Sequence, residues 1–300
     1  MIDDGGLIRV VRGVAVPAEL WLGWSDAERY RARIHGIAAT TSRALVFSHA
    51  AAATLWRAPW FGPRPQTIDV TFPGMGGRST SLIRAHGTLE EAVVIDGLLV
   101  TPLARTVVDV ALSSSLEAAV VVADSVLAAR RSDQLFRPEK VTRLDLLREC
   151  ERVPLRHGSA RARAAVEFAD ALSGSPGESV SRVSLRRIGA PAPVLQQTFP
   201  APQGREWSVD FWWPEFALIG EFDGIGKYLR DPVAGSVADA VIAEKWREDG
   251  LRALGPRVTR WGWSTAVSRA RLRAQLADAG LPLAPTAGLS SRRTNVRAAG

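Results

Sequence analysis

A single cysteine, Cys150, stands in a chain of 300 residues, which excludes an intramolecular disulfide and any cysteine-rich zinc site. Lysine is nearly as scarce: Lys140, Lys227 and Lys245 are the only three, and every other basic side chain is arginine. No uninterrupted apolar run is long enough to span a bilayer. Asp3 and Asp4 follow Met1, which does not suit a secretory leader. The expectation is a cytoplasmic chain with no membrane partner. Histidine is limited to His35, His49, His86 and His157, at no metal-ligand spacing. No serine, histidine and acid form a recognisable triad, and structural roles are expected for all four histidines.

What is present is a foldable composition, 46% apolar and 23% charged, long enough for one large domain or two ordinary ones. The net charge of +7 is unevenly placed. Residues 251–300 hold nine arginines against one acid, Asp278, so the rest of the chain is close to neutral. A basic end of this kind suits a nucleic-acid backbone.

The first half reads as mixed α/β. Residues 6–17 alternate like a hairpin, and Ser25 with Glu28 matches a capping box opening a helix to about residue 41. Ser48 is placed to cap a second helix over 49–56. Strands are predicted at 66–72, 81–85 and 92–100, then helices at 103–113 and 115–131. Gly74-Met-Gly-Gly-Arg78-Ser-Thr80 lacks the spacing of a phosphate loop and reads as a hairpin turn. Arg105 and Asp109, one helical turn apart, read as a salt bridge. The organisation predicted is a domain over 1–135, a linker over 136–160 with a short helix near 141–150, a second domain over 161–281 and a disordered basic tail over 282–300.

In the second domain the predicted order is α-β-β-β-α-β: a helix at 178–188, strands at 194–199, 207–213 and 216–222, a long helix at 236–254 and a strand at 257–261. A last helix is predicted at 265–279. Asp210 falls on the second strand and Glu221 at the end of the third, with Asp223 two residues on and so on the same side. Carboxylates on buried strands are costly unless a cation neutralises them. Oxygen ligands of this kind suit Mg2+ or Mn2+, and such a site lowers the pKa of a bound water and stabilises charge on a scissile phosphate. Lys245, Arg247 and Arg252 on the long helix, with Arg257 and Arg260 on the next strand, are the candidate DNA contacts. Glu248 and Arg252 also form an i,i+4 pair, and Glu244 and Glu248 share a face that can either extend the acidic site or meet neighbouring arginines. Of Trp212, Trp213, Trp261 and Trp263, at least half are expected in the core.

Several of these pieces carry a family likeness: Glu178 in SPGESVSR, Asp210 in SVDFWWPE, Glu221 and Asp223 in GEFDG, and the EKWREDGLRALG helix leading into RVTRW. Together, over roughly residues 160–280, they resemble the PD-(D/E)XK nuclease superfamily in its Vsr-like endonuclease branch. The resemblance implies a restriction-endonuclease-like αβββαβ core, with Asp210 and Glu221 as metal ligands and Glu178 supporting the site. Asp223 stands where the superfamily usually has lysine, and Lys227 is the candidate replacement. Residues 6–130, through Gly13-Val-Ala-Val16, Ser48-His49-Ala-Ala51 and Thr101-Pro-Leu-Ala-Arg105-Thr-Val-Val-Asp109, resemble AbiEi-type antitoxin and transcriptional regulator proteins. That resemblance implies a DNA partner and a cognate toxin protein. No helix pair precedes Gly13, so a complete winged helix is not expected. Two functions follow: a Mg2+-dependent DNA endonuclease or nickase, or a DNA-binding antitoxin-type regulator whose nuclease fold is catalytically idle.

Overall fold

The computed structural model describes residues 6–72, 78–88, 91–128, 140–154, 158–224 and 237–284. The chain is an α/β protein of two compact units, Met1–Val183 and Ser184–Gly300. The division falls well beyond the 136–160 linker read from the sequence.

The first unit opens with the hairpin of β1 (Leu7–Val11) and β2 (Val14–Pro17). Next come a short α1 (Ala18–Gly23), which the sequence reading misses, and α2 (Asp26–Thr40). The capping box on α2 is formed: Ser25 N–H donates to the Glu28 carboxylate at 2.7 Å, and Glu28 N–H donates to the Ser25 hydroxyl at 3.3 Å. β3 (Val46–Phe47) and α3 (His49–Leu55) follow. Ser48 does not cap α3; its hydroxyl lies 3.0 Å from His49 Nδ1 instead.

Strands β4 (Ile68–Phe72), β5 (Ile83–Thr88), β6 (Val93–Ile95) and β7 (Leu98–Val100) complete a sheet in the order β5-β4-β3-β7-β6. Its middle strand is the two-residue β3, antiparallel to β4 and parallel to β7. Two residues are too few to show alternation, so sequence pattern passes over this strand. The single strand predicted over 92–100 is a hairpin instead. Asp96 and Gly97 both take positive φ, 50° and 77°, as a two-residue turn of the I′ kind requires. Residues 73–77, most of the Gly-rich turn, lie outside the described residues.

Helices α4 (Leu103–Ser113), α5 (Leu116–Leu127), α6 (Arg143–Arg152) and α7 (Ser159–Phe168) finish the first unit. Leu146 of α6 is fully buried in the same core as Phe47, Trp56, Val70 and Val107. Ala162 and Ala165 of α7 pack with Val108 and Val120. A leucine such as Leu146 contributes about 1.5–3 kcal/mol when fully buried, an alanine less. A stretch read as linker from its charge therefore holds part of the core: Arg143, Arg148, Glu151 and Arg152 of α6 are exposed, while Leu146 and Glu149 are buried.

Helix α8 (Pro176–Arg187) carries the chain from the first unit into the second. There β8 (Val194–Pro200), β9 (Glu206–Trp213), β10 (Leu218–Phe222), α9 (Val237–Ala253) and β11 (Arg257–Trp261) realise the predicted α-β-β-β-α-β order. The sheet runs β11-β10-β9-β8, antiparallel except where β11 lies parallel to β10. The last helix is broken into α10 (Trp263–Ala266) and α11 (Arg269–Asp278), because the Ser268 hydroxyl accepts from Arg271 N–H and starts a new helix. Leu281, the last residue of the predicted second domain, is buried, and in the predicted tail Ala284 N–H donates to Gly189 O at 3.0 Å. Residues 285–300 lie outside the described residues.

Trp213 and Trp261 are core, Trp212 is half-buried and Trp263 is exposed. Gly220, in the middle of β10, makes room for the first two: a Cβ there would sit 2.6 Å from Trp261 and 2.9 Å from Trp213. Gly220→Ala is expected to destabilise the second unit by about 1–3 kcal/mol through overpacking, even though alanine is the better strand residue. Urea unfolding followed by tryptophan emission checks this, and an unchanged midpoint would refute it.

Candidate functional site

In the second unit the strand register sets the site. Gly220 pairs with Phe211 across the antiparallel boundary, and Glu221 lies level with Arg260 across the parallel one. One residue past the Gly220–Phe211 pair, the Asp210 carboxylate accepts the Phe222 N–H at 2.8 Å through Oδ2. A side chain thus takes the place that a strand carbonyl would hold, which fixes Asp210 at the end of β10. Gln196, between Leu195 and Gln197 in the register with β9, has a left-handed φ of 51°, uncommon for a residue with a side chain. Its amide donates to Asp210 Oδ1 at 3.4 Å and accepts from the Ser208 hydroxyl at 2.9 Å.

Asp210, Glu221 and Asp223 line one cleft of about 300 Å³, with Glu244, Arg247 and Arg260 on its other walls. Three of the carboxylates assigned from sequence are therefore brought together. Asp223 is exposed beyond the end of β10, and its N–H donates to Trp261 O at 2.9 Å.

Glu221 is buried, and its neutralising cations are two guanidinium groups. Arg247 Nη1 donates to Oε2 at 3.1 Å and Arg247 Nη2 to Oε1. Arg260 Nη2 lies 2.9 Å from Oε2. Both arginines also reach Glu244: Arg247 at 2.9 Å, and Arg260 through the same Nη2. Arg260 Nε is 3.3 Å from Glu248, a favourable charge contact without hydrogen-bond alignment. Arg247 Nη2 is also anchored by Ser208 O at 2.7 Å.

Burial, the largest single influence, pulls the Arg247 guanidinium down, but Glu221 and Glu244 together outweigh it and hold its pKa above the ordinary value. Burial likewise depresses Arg260, and Glu221, Glu244 and Glu248 reverse the sign. Both stay charged. The repulsion between strand carboxylates is relieved by arginine.

This arrangement answers whether a divalent cation fits. Hard oxygen donors are present, but both oxygens of Glu221 are taken by arginine and one oxygen of Asp210 by a backbone N–H. Among the described residues no group of three His, Cys, Asp or Glu side chains is placed to hold a metal ion. The donor set does not fit Mg2+ or Mn2+ as it stands.

The other assigned residues lie elsewhere. Lys227 falls outside the described residues. Glu178 belongs to the first unit, where it is buried and caps the start of α8: its carboxylate accepts from Gly174 N–H at 2.8 Å and from the Ser175 hydroxyl at 2.7 Å. Lys245 is exposed. Arg252 pairs with Glu248 at 2.8 Å, and Arg257 is exposed and donates to Phe216 O at 3.1 Å. Arg247 and Arg260, read as phosphate contacts, are the residues that hold Glu221. The sequence signal for this was the Glu244-Arg247 spacing on α9, an i,i+3 pair.

No family model matches the chain, and no solved structure matches it. It is similar to two uncharacterized proteins of Mycobacterium tuberculosis, from strains CDC 1551 / Oshkosh and ATCC 25618 / H37Rv. Each is 26% identical over 226 residues, 75% of this chain and 76% of the relative.

Proposed function

We propose that this chain is a DNA-binding protein of the regulator type, built on a nuclease-like unit whose carboxylate cleft is held closed. The observation that carries this reading is the pair of guanidinium groups on Glu221. A carboxylate held this way serves as an anchor for its strand and has no open position for a metal. DNA affinity is supported by cations that the cleft does not consume. Arg257, Arg269 and Arg271 are exposed, and none of them pairs with a carboxylate among the described residues. Each phosphate they neutralise releases a counterion and steepens the salt dependence of binding.

The expected result is a gel shift on duplex DNA that is equal in EDTA and in Mg2+ and weakens steeply with salt. The slope of log affinity against log salt should fall by up to about 3 when Arg257, Arg269 and Arg271 are replaced together by glutamine. Binding that ignores those substitutions would overturn the reading.

A second reading, the Mg2+- or Mn2+-dependent endonuclease or nickase, is favoured by the gathering of Asp210, Glu221 and Asp223 in one cleft. It requires Arg247 and Arg260 to leave Glu221 when substrate is bound. Supercoiled plasmid separates the two readings. Metal-dependent nicking that disappears in Asp210→Ala would establish the enzyme, and an intact plasmid would leave the binding protein.

A further inference from the structure

The first unit contains a second cavity, of about 230 Å³, whose walls gather polar side chains from sequence-distant elements. His49 at the start of α3 and His86 of β5 stack with ring centroids 3.6 Å apart and planes 18° from parallel. Two imidazoles pressed face to face repel each other if both are protonated, unless negative charge lies close by. His86 Nε2 is 2.9 Å from Asp69 Oδ1, and Arg84 is 3.9 Å from the same oxygen. His49 Nδ1 is 3.9 Å from Asp109. Arg105 also lines the cavity, with Nε on Asp109 at 2.9 Å and Nη1 on Glu149 at 3.5 Å. His49 itself has a left-handed φ of 49°, a strained conformation for a residue with a side chain, of the kind that clusters at ligand sites.

Two other readings of this cluster fail on geometry. A serine nucleophile needs its hydroxyl on one imidazole nitrogen and the acid on the other. Here the Ser48 hydroxyl, at 3.0 Å, and the Asp109 carboxylate both approach Nδ1 of His49. A cation site is opposed by the Arg105 guanidinium on the wall, and each carboxylate already faces an arginine or a histidine.

What the cavity has to offer is donors. With Nε2–H of His86 given to Asp69, its Nδ1 makes no hydrogen bond among the described residues, and protonation turns that nitrogen into a donor. Arg105 Nη2 faces no carboxylate among them. The Ser48 hydroxyl lines the same space, whereas those of Thr71 and Thr101, also on the wall, are engaged by Gly87 O and by the Thr106 hydroxyl.

We infer that this cavity is an oxyanion site, taking a phosphoryl or sulfate group between the His86 and His49 imidazoles and the Arg105 guanidinium. Its volume accommodates such a group together with several waters, each occupying about 30 Å³. A bound anion offsets the positive charge of Arg105 and of a proton taken up by the stacked rings. The inference is independent of the DNA-binding reading and concerns the other unit.

The four histidines make the test direct, because their ring signals can be assigned by single His→Gln variants and followed by NMR. Sulfate is titrated into the full chain at about pH 6 and about pH 8, because its charge stays constant while histidine changes state. The expected result is saturable movement of the His49 and His86 signals with a common midpoint, while His35 stays put. Affinity should weaken by up to about tenfold per pH unit above the imidazole pKa. His86→Gln, which keeps a donor for Asp69 but cannot take up the proton, should abolish saturation, and Arg105→Lys should weaken it. The His49 signal and tryptophan emission report that each variant is folded. Phosphate and a nucleoside monophosphate are then compared: equal affinity assigns the phosphoryl group alone, and tighter nucleotide binding assigns a nucleoside phosphate. Non-saturating shifts, saturation that survives His86→Gln, or binding that ignores pH would each overturn the site.

Discussion

Arg182→Met is expected to lower the stability of the first unit by about 3–5 kcal/mol, the cost of stranding a buried charge. The stranded charge is Asp124 of α5, which is 1% exposed. Arg182 Nη1 donates to it at 2.8 Å, the Ser179 hydroxyl at 2.7 Å and Asp170 N–H at 2.7 Å. The same guanidinium donates to Phe168 O at 2.6 Å and to the Ser173 hydroxyl at 3.1 Å, and it lies 4.6 Å from the Phe168 ring centre. One side chain therefore ties α5, the end of α7 and the start of α8 together.

Burial, the leading influence, raises the Asp124 pKa above its ordinary value in spite of Arg182 and the hydrogen bonds. An acid whose folded pKa is raised contributes stability that is present in full below the unfolded pKa and is lost as pH rises through the folded one. Removing Arg182 raises that pKa further. The variant's deficit should thus be largest near neutrality and shrink as acid protonates Asp124. Asp124→Asn in the Arg182→Met background should recover part of the loss, because the charge is then gone. Urea unfolding of the parent and the two variants at two pH values tests this; a deficit that grows in acid would sink the account.

The second large effect concerns Arg247→Met. Glu221 would retain Arg260 but lose the partner that reaches both of its oxygens, at a cost of about 2–3 kcal/mol, below the range for a charge left wholly unpaired. The freed oxygen also changes what the cleft can bind. Mn2+ should leave the melting temperature of the parent chain unchanged and raise that of Arg247→Met. A ligand present at about a hundred times its dissociation constant adds about 2.7 kcal/mol. Glu221→Gln in the same background should restore much of the stability and remove the response to Mn2+. If Mn2+ stabilises the parent as much as the variant, arginine does not exclude the metal and the closed-cleft reading falls.

The sequence carried more of the fold than of the site. The αβββαβ order of the second unit is legible because its strands are apolar runs bounded by Pro and Gly, and its helix has a charged face. The Ser25 box and the Arg105–Asp109 and Glu248–Arg252 pairs are local, and local spacing reveals them. Asp210 and Glu221 could be placed near each other from strand order alone. What neutralises Glu221 could not, because Arg260 reaches it only through the parallel pairing of β10 with β11, a contact across thirty-odd residues and a helix. The histidine stack is illegible for the same reason: His49, His86 and Asp109 come from a helix start, a strand and another helix. Charge misled the reading of α6, where Arg and Glu on the outer face hide Leu146.

The parallel seating of β11 also orders events in time. β8, β9 and β10 are joined by short turns and can zip together locally, whereas β11 pairs with β10 only across the intervening chain and α9. Long-range pairings of this kind form late, since loop closure precedes their reward. Neither Arg247 nor Arg260 is local to Glu221, and Arg260, carried on β11, is expected to reach it late in folding. Interactions completed after the rate-limiting barrier govern how fast a protein comes apart more than how fast it forms. The ion pair that closes the cleft is, on this view, the latch that sets the lifetime of the folded second unit.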